Sequence, residues 1–269
     1  VSVIALGGAV LAGASEHLAN VLWALAAGNL GASWIELAML GLGGRCAHRR
    51  RSFARYREIW RHVRWAVVGA GTSILQQQAH SLLISITTGP AAYAPIAAGA
   101  ILLSPVRIGI QAWHMVMRPE LAVAIARGER RSVTWMLMLS MGVLTLGTLL
   151  VAAAVFLFWA PIETLLYRER YEDQPMAWIV AGWIAITLCS ALSTGPSSAL
   201  QAFKSFRILA LATVVGSAVS LAAVGCILLV WPPAMTLAGV LLAQTFTLVF
   251  LLRVTWKRMA ALHDSARGG

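Results

Sequence analysis

Negative charge is what this sequence has least of. Ten aspartates and glutamates stand against 21 lysines and arginines in 269 residues, a net charge of +11. No acid occurs between Glu58 and Glu120, between Glu129 and Glu163, or between Asp173 and Asp264. Those gaps coincide with long apolar runs, so paired-carboxylate catalysis and an acidic cation site inside the runs are both excluded. Cysteine is also scarce. Cys46, Cys189 and Cys226 have neither metal-ligand nor CxxC spacing, and two of them lie within apolar runs as small core residues would. No HExxH, GxSxG or Walker loop appears, so neither hydrolysis nor nucleotide-driven pumping is supported. The sequence is therefore expected to be neither an enzyme nor the holder of a metal or cofactor.

What is present in excess is hydrocarbon. Hydrophobic residues make up 59% of the chain and charged ones 12%, with a mean hydropathy of +0.77, well beyond the apolar share of soluble domains. This composition predicts an all-α polytopic membrane protein. Apolar segments fall at 1–14, 19–44, 65–88, 92–117, 133–160, 176–194, 208–231 and 236–252, each after the first near or above the length that crosses about 30 Å of hydrocarbon. About eight transmembrane helices follow from that count. The chain opens at Val1 within an apolar stretch, with no charged n-region, so the start does not read as a signal peptide but as the end of a helix whose beginning lies upstream.

The positive charge sits between the segments. Residues 45–64 hold eight arginines and one glutamate, and Phe53, Tyr56, Trp60 and Val63 recur among them at helical spacing. That pattern predicts an amphipathic helix on the membrane surface rather than a nucleic-acid site. Basic loops at 118–131, at Lys204 and Arg207, and beyond Arg253 alternate with poor or acidic ones at Gly89–Pro90, 160–175 and 231–233. The positive-inside rule then places 45–64 and the tail 253–269 in the cytoplasm. Glu36 lies near enough to the arginines for its carboxylate to reach the interface. Four ranges result: 1–44, the end of an N-terminal lobe; 45–64, a basic connector; 65–252, a C-terminal six-helix lobe; and 253–269, a cytoplasmic tail.

Polar residues inside the apolar segments are the candidate site. Ser104, Arg107, Gln111, His114 and Arg118 follow one another by three, four, three and four, which stacks them on one face of a helix. An arginine at bilayer depth costs about 2.5 to 3.5 kcal/mol on insertion scales, so it faces either a wet cavity or a partner such as Glu36. Pro105 cannot donate to the carbonyl of Ile101, which predicts a kink there. Every other proline falls in a loop or near a segment end. On the preceding segment Thr72, Gln76 and His80 repeat every four residues, flanked by Ser73, Gln77 and Ser81. Such groups serve either as interhelical hydrogen bonds or as cavity lining. A tight turn at Gly89 and Pro90 makes the two segments antiparallel neighbours, so Gln76, His80, Arg107, Gln111 and His114 are expected to share a cavity. His80 or His114 then either carries a coupling proton or simply hydrogen-bonds. Thr213, Ser217 and Ser220, and Gln244 with Thr245 and Thr247, read as close helix packing.

The run TTGPAAYAPIAAGAILLSPVRIGIQAWHMVMRPELAVAIARGE resembles a signature region of the polysaccharide flippases of the multidrug/oligosaccharidyl-lipid/polysaccharide exporter superfamily. The matching features are the turn at Gly89, the pair Tyr93 and Ala94, the mid-helix Pro105, and the exit through Pro119, Leu121, Ala122, Arg127 and Gly128. The resemblance implies a second lobe at 65–252 preceded by the last two helices of a first, with about four helices upstream. It also implies alternating access, in a bacterial cytoplasmic membrane, for a polyprenyl-diphosphate-linked oligosaccharide, with a proton or sodium ion as coupling cation. Membrane lipids are then the surroundings and nucleic acid is no partner. An arginine fork suits diphosphate oxygens and glutamines suit sugar hydroxyls. A drug-cation exporter of the same superfamily would carry acids in its cavity. An integral-membrane glycan polymerase or acyltransferase would carry a large outer loop, longer than 160–175.

Overall fold

The computed structural model describes residues 80–167, 171 and 174–267, with positions 27, 28, 30, 31, 34, 60, 64, 65, 67–69, 71–73 and 78, and side chains as far as residue 260. The chain forms two compact units, Val1–Glu58 and Ile59–Gly269. In the first, the described positions from 27 to 34 are helical. The surface helix expected from Phe53, Tyr56 and Val63, and Glu36, lie outside the described residues. The helices from position 60 to Arg267 belong to the second unit.

Its regular elements are all helical among the described residues. Helix α1 is continuous over 80–87, and every described position from 64 to 78 is helical too. Then come α2 (Pro90–Ile101), α3 (Ser104–Ala126), α4 (Arg130–Leu157), α5 (Met176–Ala202), α6 (Phe206–Val230) and α7 (Thr236–Arg267). A turn of helix at Trp159–Ile162 runs into a π-helical turn at Glu163–Tyr167 between α4 and α5. Among the described residues four helices are long and apolar enough to cross a membrane, and a fifth crossing results if the bent pair α2 and α3 counts as one. Their lipid-side residues are bare: Leu157 is 79% exposed and Leu229 86%, a state that hydrocarbon stabilises and water does not. The chain is an all-α polytopic membrane protein.

The turn from α1 to α2 needs glycine, because Gly89 has φ +91° and Pro90 then starts α2 with its fixed φ. The expected kink at Pro105 is a break. α2 stops at Ile101, α3 restarts at Ser104, and the two axes differ by 61°. Proline without an N–H fits the first turn of a helix better than its middle, so the chain places Pro105 there. At the break the Leu102 N–H turns to Ala100 O, and other helices supply donors to nearby carbonyls. Tyr167 Oη donates to Ala98 O at 3.3 Å and Trp183 Nε1 to Ile96 O at 2.8 Å.

Helix α5 is the centre of the bundle, packing on α2, α3, α4 and α7, with a lighter contact on α6. Its Ile179, Val180 and Trp183 join Ile84, Ile96, Leu103, Val224 and Leu237 in one buried cluster. Small residues let the backbones approach. A Cβ on Gly99 of α2 would lie 2.8 Å from Ile179 Cγ2, and one on Gly239 of α7 would lie 3.1 Å from Val224 N.

Several boundaries differ from the sequence expectation. Pro95, Pro119 and Pro196 lie inside helices, whereas Pro105 stands in the first turn of one. α5 continues to Ala202 rather than ending near 194. Its serines and threonines return hydroxyl protons to carbonyls four residues back, Ser193 to Cys189 O and Thr194 to Ser190 O, so these hydroxyls are satisfied within the helix. The range 253–269, expected as a tail, continues α7 as helix through Arg267.

Candidate functional site

The break between α2 and α3 opens a cavity of about 210 Å³, walled by Gln78, His80, Tyr93, Arg107, Gln111, Trp183, Thr187, Ser190 and Gln244 among others. α1 brings Gln78 and His80, α2 brings Tyr93, and the first two turns of α3 bring Arg107 and Gln111. α5 and α7 close it with Trp183, Thr187, Ser190 and Gln244. None of its lining residues is acidic.

His80 is the tightest-held polar group. It is 4% exposed, and its ring meets Tyr93 and Trp183 edge to face, both at 5.8 Å between centroids. Neither ring nitrogen has a hydrogen-bond partner among the described residues. A buried polar atom left unpaired costs about 1 to 3 kcal/mol, which sets this imidazole apart from the other polar groups of the wall. Arg107 is exposed to the cavity side of α3 and makes no ion pair or side-chain hydrogen bond among the described residues, where the single ion pair joins Arg127 and Glu129 at 3.9 Å. A guanidinium without a carboxylate keeps all five N–H donors for a ligand.

His80, Arg107 and Gln111 thus meet at one cavity. His114 does not join them. It lies one to two turns further along α3, on a separate cavity of about 410 Å³ shared with Arg118, Ser197 and Gln201. Gln76 lies outside the described residues. Five polar or aromatic members of the first cavity were not singled out by the sequence as lining: Tyr93, Trp183, Thr187, Ser190 and Gln244. A signal existed for part of this set, since Thr187, Ser190, Thr194 and Ser197 step by three, four and three along α5. Gln244 differs from its neighbours Thr245 and Thr247, whose hydroxyls return to Leu241 O and Ala243 O, as packing threonines do.

No protein-family model, no curated protein and no solved structure matches this chain.

Proposed function

We propose that this chain belongs to a transporter that flips a polyprenyl-diphosphate-linked oligosaccharide across a bacterial cytoplasmic membrane, for cell-surface polysaccharide synthesis. Residues 65–252 act as its second six-helix lobe, completing eight crossings in this chain. The observation that carries the reading is Arg107, a guanidinium at the wall of an acid-free cavity with no carboxylate on it among the described residues. Diphosphate oxygens match that fork, and Gln78, Gln111 and Gln244 supply the paired donors and acceptors that sugar hydroxyls require. The α2–α3 break favours alternating access, because two helices joined at a bend can tilt separately. A drug-cation exporter is disfavoured by the same absence of acids from the cavity wall.

The test measures glycan export per folded molecule of the full-length protein in cells lacking their own copy. Arg107→Ala is expected to abolish export while insertion persists. Arg107→Lys keeps the charge without the fork and should retain part of it. Undiminished export by the alanine variant refutes the reading, and loss of folded protein in step with export points instead to a structural arginine.

A further inference from the structure

The lower half of the α3 polar face opens on a different chamber. This cavity of about 410 Å³ lies between α3, α5, α6 and the start of the first helix, where Trp65, His114, Arg118, Ser197, Gln201 and Phe206 form much of its wall. It sits at the end of the bundle that carries the basic turns, Arg127 to Arg131 and Lys204 to Arg207. None of its lining residues is acidic.

Its hydrogen-bonding character is fixed by His114. Arg118 Nε, which can only donate, lies 3.3 Å from His114 Nδ1, and Ser198 Oγ lies 2.7 Å from the same nitrogen. Nδ1 must therefore accept, and the neutral ring carries its proton on Nε2. No described group takes that proton. Arg118 spends one N–H on the ring and keeps the four of its terminal fork, and it forms no ion pair among the described residues. Two more cations bound the rim, since Arg64 and Arg207 each place a guanidinium against the Trp65 ring, at 5.8 and 5.6 Å from its centroid. Helix α6 adds the apolar Phe206, Leu209 and Ala210 to the wall, with Thr213 as its one polar member.

Donors and positive charge without an acid, together with apolar lining, describe a site for an acceptor-rich anion attached to an apolar body. We propose that this chamber binds a phosphate group, with Arg118 as its bidentate contact and His114 Nε2–H and Gln201 as further donors. The phosphate belongs to an anionic phospholipid headgroup or is free in solution. Basic ends of membrane helices lie at headgroup depth, which suits the first source. The site is separate from the Arg107 cavity and does not rest on the flippase reading.

The full-length protein in maltoside micelles is titrated with phosphatidylglycerol, with a phosphate-free glucosyl diacylglycerol, and with inorganic phosphate, and retention is read by native mass spectrometry and thermal stability. Phosphatidylglycerol should bind saturably and the glycolipid should not, with Arg118→Gln weakening binding ten-fold or more and Arg127→Gln changing it less than two-fold. Saturable binding of inorganic phosphate with the same dependence on Arg118 assigns the site to the free ion. Equal binding by wild type and Arg118→Gln for both phosphate probes overturns the proposal. Should that variant fold poorly, Arg118→Lys and Gln201→Leu replace it, and unchanged affinity in both overturns the proposal equally.

Discussion

Lys204 closes α5 in a conformation that suits another residue. Its φ is +56°, and the N–H groups of Lys204 and Ser205 return to Gln201 O and Leu200 O, both at 2.9 Å. This is the same helix-ending motif that Gly128 forms after α3, where Gly128 and Glu129 bond back to Ile125 O and Ala124 O. A side chain in the left-handed region costs about 1 to 2 kcal/mol. Lys204→Gly should therefore raise stability by about 0.5 to 1 kcal/mol, read as a higher melting temperature in detergent. Tyr167 offers the opposite case. Phenylalanine there removes the donor to Ala98 O and should cost about 1 kcal/mol. Burial, and secondarily the neighbouring Tyr171, holds the Tyr167 phenol above its ordinary value. The unfolded chain loses that proton first as pH rises past about 10, so the group's contribution is present below that pH and declines above it. Tyr167→Phe should show a shallower alkaline loss of stability than the parent.

Gly99 shows how closely α2 approaches α5. An added methyl would meet Ile179 Cγ2 at 2.8 Å and Trp183 Cδ1 at 3.4 Å, and Ile179 is itself buried at 1% exposure. Overpacking of that kind costs about 1 to 3 kcal/mol. Gly99→Ala is expected to lower the melting temperature, and because Trp183 walls the Arg107 cavity it should also lower ligand affinity there. An unchanged melting temperature means that Ile179 yields freely. The elements themselves were legible because apolar length survives any detail of packing. Their ends were not. The α5 terminus was hidden because Ser193, Thr194, Ser197 and Ser198 look like a loop, whereas inside the bundle Ser193 and Thr194 bond to carbonyls, Ser198 to the His114 ring, and Ser197 lines a cavity. The α7 terminus was hidden because Arg253, Lys257 and Arg258 look like a tail, although long basic side chains continue a helix while their heads reach toward water. The site was half visible for a related reason. Arg107, Gln111 and His80 are conspicuous against hydrocarbon, while Tyr93 and Trp183 resemble core residues until their edges are found against His80.

By the positive-inside rule, the alternation of basic and poor turns predicts the orientation of the second unit in the membrane. Arg127 and Lys204 lie at one end and Leu166 at the other, across spans that run up to 28 residues, about 42 Å of helix. With Cys46, Cys189 and Cys226 replaced by alanine, a cysteine introduced as Leu166→Cys should react with an impermeant maleimide added outside intact cells. Arg127→Cys should react only after permeabilisation. The reverse pattern inverts the topology. The number of crossings does not follow from hydropathy alone, since a proline-broken pair counts as one span or two according to where the lipid surface falls.

The two-residue gap at Leu102 and Leu103 makes α3 an unequal-armed lever. Arg107 stands four residues from the pivot and Arg118 fifteen, about 6 and 22 Å along the axis. A tilt of about 10° displaces the first by roughly 1 Å and the second by roughly 4 Å at that geometry. The short arm would barely disturb whatever Arg107 holds, while the long arm would carry Arg118 across its own chamber. A small adjustment at the upper cavity is thus geared up fourfold at the basic end, and an anion gripped there would resist the rotation with the same mechanical advantage.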